Sequence, residues 1–125
     1  MQKVYLGGVG KTQVKKLLDQ FQDPNVQIVM SSDMAAGPVL RKNPMSYYIG
    51  TCHTGAGGSL GALMAFLGRS HCHTFGRQTT TNTRQIIDLL KNGVQAFGLS
   101  VDQIDSMVPR LMEAIRVYSE SGGEV

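Results

Sequence analysis

The sequence predicts an α/β protein, a three-layer sandwich with helices on both faces of a five-stranded parallel sheet. Three observations carry this. Five short apolar or β-branched runs each precede a segment with helical periodicity. The turns after the first and third runs are rich in glycine. Successive strand-then-helix units close by right-handed crossovers, which set parallel strands side by side under helical cover. A chain of 125 residues accommodates one such domain, 1–125, with its own core.

Lys3 to Leu6 reads as the first strand and Gly7-Gly8-Val9-Gly10 as its turn. A helix then runs from Lys11 to Phe21, patterned by Val14, Leu17, Leu18 and Phe21, and Pro24-Asn25 ends it. Val26 to Met30 is the second strand. Ser31-Ser32-Asp33 caps a helix to about Lys42 that contains Pro38, and Asn43-Pro44 breaks the chain before a third strand, Tyr47 to Thr51. The next helix, Ser59 to Leu67, carries Gly57, Gly61 and Ala65 on one stripe, which suits close packing on the sheet or a subunit contact. His71 to Phe75 is the fourth strand, and a polar loop over 76–82 leads into a helix from Thr83 to Lys91 that stops at Asn92-Gly93. Val94 to Leu99 is the fifth strand. Ser100 with Gln103 forms a capping box, and Pro109 divides the last helical stretch into a short segment and a fresh helix to about Tyr118, with 119–125 fraying. The strand order expected from this succession is 2-1-3-4-5, the flavodoxin-like variant of a Rossmann-like sheet.

The totals narrow the function classes. Hydrophobic residues make up 42% and charged residues 17%, which argues against disorder. The net charge is +3, but the twelve basic residues are scattered with only two adjacent pairs and tryptophan is absent, so nucleic acid is not an expected partner. Two cysteines without CxxC spacing give no disulfide framework and fit a reducing compartment. No secretory signal opens the chain, and Leu60 to Leu67, its longest apolar segment, is far short of the roughly 20 residues of a membrane span. A soluble cytoplasmic protein is the expectation.

In open sheets of this kind ligands bind beyond the carboxyl ends of the strands where the order reverses, here between strands one and three. That brings Gly7 to Thr12 beside Cys52 to Gly57. A thiol at a strand end, near a helix start and within reach of Lys11 or His53, serves as nucleophile or base; the alternative is a small buried hydrophobe. Thr54, Gly55, Ala56 and Gly57 offer a hydroxyl and backbone donors for a phosphate, carboxylate or enediolate, or simply meet turn geometry. His53 is an acid, base or donor, or a surface histidine. Gly7 to Thr12 lacks the phosphate-loop pattern because Tyr5 stands where its first glycine belongs. Gly8, Gly10, Lys11 and Thr12 remain candidates for weaker anion binding. Arg77, with Arg84 nearby, is a further contact for acidic groups or a solvated loop charge. His71-Cys72-His73 has metal-ligand types, but alternate strand residues point to opposite faces, so no metal centre is expected.

Tyr48-Ile49-Gly50-Thr51-Cys52-His53-Thr54-Gly55-Ala56-Gly57 resembles the strand-to-helix motif of the ribose-5-phosphate isomerase B and galactose-6-phosphate isomerase family. The resemblance implies that Cys52 abstracts a proton beside a sugar carbonyl while Thr54, Gly55 and Gly57 hold the enediolate. It also implies no cofactor and a dimer with shared sites. That family's Asp-His pair after its first strand has no counterpart in Gly7-Gly8-Val9-Gly10. Along nearly its whole length the chain is also similar to the YhfU-like family of uncharacterised bacterial proteins, through Tyr47-Tyr48-Ile49-Gly50, Cys52 to Gly57 and Ala96-Phe97-Gly98-Leu99-Ser100-Val101.

The resulting expectation is a small anionic metabolite, phosphorylated and sugar-like, bound at the junction of strands one and three by a homodimer or higher homo-oligomer, with proton transfer at Cys52. A non-catalytic ligand-binding or protein-interaction module and a phosphocysteine carrier of the sugar-transport type are the alternatives.

Overall fold

The computed structural model describes residues 2–21, 23–53, 60–76 and 81–124. Its strands are β1 (Gln2–Gly8), β2 (Val26–Met30), β3 (Tyr47–Cys52), β4 (Cys72–Thr74) and β5 (Ala96–Ser100). The helices are α1 (Lys11–Asp19), α2 (Asp33–Lys42), α3 (Gly61–Leu67), α4 (Thr83–Lys91) and α5 (Ile104–Glu120), with 3₁₀ turns at Arg69–His71 and Val101–Gln103. All five strands run parallel in the order β2-β1-β3-β5-β4.

The parallel three-layer architecture is the expected one, whereas the 2-1-3-4-5 order is corrected at its last two strands. A strand beside β3 must be apolar and covered on both faces, and all five residues of β5 are buried. The expected fourth strand, His71 to Phe75, shrinks to Cys72–Thr74, half-buried throughout, because His71 is taken into the 3₁₀ turn. So short and polar a strand belongs at the edge. The exchange reverses the direction of the step from β4 to β5, and a right-handed crossover then carries α4 to the opposite face from α2 and α3. Ile86, Ile87 and Leu90 of α4 accordingly join Val14 and Leu18 of α1 and the apolar stripe of α5 in one cluster. Ala36 and Leu40 of α2 and Leu63 of α3 form the other, against Tyr5, Tyr48 and Ala96.

Several element ends also move. α1 stops at Asp19, and Phe21, expected on its buried face, is 56% exposed. β3 extends to Cys52, and β5 starts at Ala96 and takes in Ser100. α5 runs unbroken through Pro109 to Glu120. Pro38 and Pro109 each stand sixth in their helices, where the ring removes one backbone bond to Met34 or Asp105. Both of those residues are exposed, so water can satisfy the carbonyl, and the buried faces of α2 and α5 hold the helices together. On α3 the expected small-residue stripe does not pack on the sheet. A Cβ placed on Gly61 would meet nothing within 4 Å and Ala65 is exposed, while Leu60 and Leu63 face inward. Gly57 lies outside the described residues.

At the amino ends of the strands one buried side chain ties the central pair together. The Gln95 amide nitrogen donates to the carbonyls of Leu40, Asn43 and Ser46 at 3.0, 2.9 and 3.0 Å, clamping the α2–β3 turn to β5. Replacing Gln95 with Leu removes this clamp; the Leu40 carbonyl keeps the Asn43 N–H and the Asn43 carbonyl keeps Ser46, but the Ser46 carbonyl loses its donor, and a loss of about 1–3 kcal/mol is expected in urea unfolding. Tyr47 and Tyr48 point to opposite faces and are almost wholly buried. Burial, with the Tyr118 phenol adding to it, pushes the Tyr47 hydroxyl up to about 12. Burial, reinforced by the negative charge of Asp33, raises Tyr48 as well. A phenol whose folded pKa exceeds its unfolded value of 10.0 contributes stability that is intact below pH 10 and lost as pH climbs through the folded value. Chemical-denaturation stability should therefore fall above pH 10, and Tyr47→Phe should flatten that alkaline limb.

Candidate functional site

Parallel strands deliver their loops to one end of the sheet, and there β3 leaves between two neighbours that turn the other way. β1 leads to α1 and β5 to α5 on one face, whereas β3 leads to α3 on the other. The corrected order therefore gives two adjacent divergences, one on each side of β3, in place of the single one expected. Register pairs Gly8 with Thr51 and Cys52 with Ser100, so Cys52 ends the central strand of three.

The β1–α1 turn is locked onto β3 by Thr51, which is 1% exposed. The Gly10 N–H donates to the Thr51 hydroxyl at 2.7 Å, the Val9 N–H donates to the Thr51 carbonyl at 3.0 Å, and the same hydroxyl donates back to the Gly7 carbonyl at 3.4 Å. Gly8 has φ +87°, and a Cβ there would overlap the Thr51 carbonyl oxygen. At Gly10 a Cβ would stand 3.0 Å from both the Thr51 hydroxyl and Ile104. The glycines of this turn thus permit a close approach between β1's exit and β3, and two of the turn's amides are spent within the protein. α1 starts after the N-cap Gly10, which has no side chain to cap it, so among the described residues the first-turn amides of Lys11 and Thr12 lie at a helix start that no side chain closes. Thr12 is exposed, and the Lys11 ammonium donates to the Ser31 carbonyl at 3.2 Å, across β1 at the end of β2.

Cys52 is half-buried, and His53 beside it is exposed. Cys52 and Cys72 form no disulfide. Thr54, Gly55, Ala56, Gly57 and Arg77 lie outside the described residues. The register thus brings Gly8, Gly10 and the start of α1 beside the strand that ends in Cys52, while the Lys11 ammonium turns toward β2. Arg84 is held in an exposed ion pair with Asp88 at 3.4 Å.

Several contributors were not identified from sequence. Asp33, read as a cap of its own helix, also reaches across to accept from the Ala62 N–H at 3.2 Å while accepting from Met34 at 2.9 Å, so a carboxylate stands at the start of α3. Ser100, wholly buried, donates from its hydroxyl to Asp102, and its N–H donates to the Gln103 side chain at 3.0 Å. The capping-box pattern marks that pair in the sequence, but only the corrected order sets it beside Cys52. Arg110 donates to the Thr81 carbonyl at 3.1 Å.

The alternating segment at β4 behaves as strand geometry requires. His71 donates from Nδ1 to the Gly93 carbonyl at 2.8 Å, since a carbonyl only accepts. Cys72 packs with the Tyr5 and Tyr48 cluster, where burial raises its thiol, and His73 stacks edge-on against Phe75 at 4.9 Å, where burial lowers its imidazole. Among the described residues no group of three or more His, Cys, Asp and Glu is placed to hold a metal.

Similarity to known proteins extends over most of this scaffold. A family model described as a protein of unknown function, DUF2620, matches residues 2–115. The chain belongs to the DUF2620 family. It is 27% identical over 117 residues to "Uncharacterized protein YhfU" of Escherichia coli K12, across 93% of this chain and 100% of that one. The proteins of the same name from Escherichia coli O6:H1 and Shigella flexneri match with the same identity and coverage. No solved structure matches. Among the described residues of this DUF2620 member no helix is long and apolar enough to cross a membrane.

The lock between the β1–α1 turn and β3 is open to test. Thr51→Val removes the acceptor of the buried Gly10 N–H and should cost about 1–3 kcal/mol in thermal or urea unfolding. Gly8→Ala combines a positive φ with overlap on the Thr51 carbonyl and should cost more than Thr51→Val in the same measurement.

Proposed function

We propose that this protein binds a small anionic, phosphorylated sugar-like metabolite at the carboxyl ends of β1 and β3, and that Cys52 is the base in a proton transfer of isomerase type. The observation that supports the reading is the bond from Gly10 to the Thr51 hydroxyl. It holds the uncapped start of α1, with the charge of Lys11 and the hydroxyl of Thr12, against the strand whose next residue is Cys52. An uncapped helix start flanked by a lysine favours a phosphate.

On this reading the Gly10 amide is engaged by Thr51, so Gly8 and Gly10 act by shaping the turn. The donors to the anion are the Lys11 and Thr12 amides, the Thr12 hydroxyl and the Lys11 ammonium, which gives up its bond to the Ser31 carbonyl. The Asp33 carboxylate at the start of α3 makes that side unfavourable for a second negative group and leaves the α1 side to the phosphate. The Cys52 thiolate takes a proton from the carbon beside the carbonyl, breaking C–H and forming S–H. The enediolate oxygen falls to Thr54, Gly55 and Gly57, the role the isomerase motif implies for them, with the Ala56 amide a further anion donor in the same loop. Return of the proton from sulfur to the neighbouring carbon, breaking S–H and forming C–H, together with passage of the adjacent hydroxyl's proton to the former carbonyl oxygen through His53, completes an aldose–ketose exchange. His53 is the donor to the carbonyl oxygen, and Arg77 a contact for an acidic group. No cofactor takes part, and a homo-oligomer in the cytoplasm is the working form.

A non-catalytic module that binds the same class of ligand is the second reading. It is favoured by the engagement of Lys11 with Ser31 and by glycines where the isomerase family carries its ring-opening pair. Incubation with aldose and ketose phosphates in heavy water separates the two. Solvent deuterium should enter the carbon beside the carbonyl, and Cys52→Ala should abolish that entry while keeping the ligand-induced rise in melting temperature. Lys11→Ala should weaken binding about tenfold. A rise in melting temperature without deuterium entry selects the non-catalytic module, and the absence of both discards the site.

A further inference from the structure

The opposite, amino-terminal end of the sheet carries a groove of about 590 Å³ between the end of α1, strand β2 and the second half of α5. Its floor is apolar, built from Leu18, Phe21, Val26, Ile28 and Met112. Its rim holds four carboxylates, Asp19, Asp23, Glu113 and Glu120, against one cation, Arg116. Arg116 is engaged by Glu113 at 2.9 Å and Glu120 at 3.1 Å, so the rim stays net negative on a chain whose total charge is +3.

Two further observations mark the groove as a place for a polypeptide. A polar annex of about 210 Å³ shares Asp23, Arg116 and Glu120 with the groove and is also lined by Gln2, whose buried amide nitrogen has no hydrogen-bond partner among the described residues. Such a donor takes an acceptor oxygen, which a main-chain carbonyl supplies. The groove also runs beside an undefended sheet edge. Among the described residues β2 pairs only with β1, and its sequence Val-Gln-Ile-Val-Met has no charge and no proline to discourage a further strand. Gln2 donates to the Asn25 carbonyl and Ser31 donates to the Leu6 carbonyl, so with a period of two the main-chain groups of Ile28 and Met30 point away from β1.

We infer that this edge and groove dock an extended segment of a partner polypeptide in which apolar side chains alternate with Lys or Arg. The segment adds to β2 as a sixth strand, its apolar side chains enter the groove, its cations meet the acidic rim, and a carbonyl of its chain accepts from Gln2. A second copy of this chain is the poorer occupant, because pairing two β2 edges would bring two acidic rims together. The groove lies at the other end of the sheet from Cys52, and the inference does not rest on the function proposed above.

The test pans nine-residue peptides displayed on phage against the full chain and against Glu113→Lys/Glu120→Lys, two exposed positions whose reversal should leave the fold intact. Enriched peptides should alternate apolar and basic residues and bind the variant at least about tenfold more weakly. When synthesised, they should slow hydrogen exchange at the Ile28 and Met30 amides. Enrichment of acidic or uncharged sequences, equal binding to the variant, no enrichment, or unchanged exchange at those two amides would each overturn the inference. So would protection of the same amides by concentration-dependent self-association without peptide.

Discussion

A single buried hydroxyl sets the geometry of the carboxyl end of this sheet. Thr51 accepts from Gly10 and returns a bond to Gly7, and its own carbonyl takes the Val9 amide, so the first crossover leaves β1 at a height and direction dictated by β3. An unpaired amide buried at that point would cost about as much as the hydroxyl contributes, and for that reason the turn admits little variation. Glycine at position 8 is the other half of the same constraint, since a Cβ there would overlap the Thr51 carbonyl, and at position 10 a Cβ would crowd the Thr51 hydroxyl at 3.0 Å. The start of α1, and with it Lys11 and Thr12, is placed by this contact.

The strand order adds a second constraint. Because β5 displaces β4 from the centre, β3 is the one of the three central strands that feeds the face of α2 and α3. Its end is therefore flanked by two turns that lead away to the other face. The buried Ser100, paired with Cys52 in register, is hydrogen-bonded to Asp102 and Gln103. Asp33 accepts from the first turn of α3. Polar groups at this end of the sheet are thus matched to one another, across elements in the case of Asp33 and Ala62, whereas the amino-terminal end holds an apolar groove and a buried amide donor without a partner among the described residues.

Much of the fold was legible residue by residue. Short apolar or β-branched runs located the five strands and period-3.6 patterning the helices, most ends to within a few residues, because both signals are local properties of the sequence. The misses have physical causes. Phe21 fits the helical stripe of α1, but the helix ends before it and leaves it over the groove. Pro109 looks like a break when only propensity is considered, yet one lost backbone bond is small against the buried stripe of α5 from Ile104 to Ile115. Of the candidate site, the meeting of the first and third strand ends was legible from topology. The donors engaged by Thr51 were not, because hydrogen bonds spanning 41 and 44 residues leave no mark in local pattern.

Sequence alone determined the alternation of strands and helices, the parallel sheet and the pairing of β1 with β2 and β3, since each follows from local periodicity and the handedness of short crossovers. Tertiary structure decided which of the last two strands lies inside. The right-handed rule permits either arrangement, and the choice depends on covering both faces of Ala96–Ser100 while a short, half-polar strand takes the edge. It also decided which turn amides stay available, because a buried donor takes whichever acceptor the packed neighbours bring within reach.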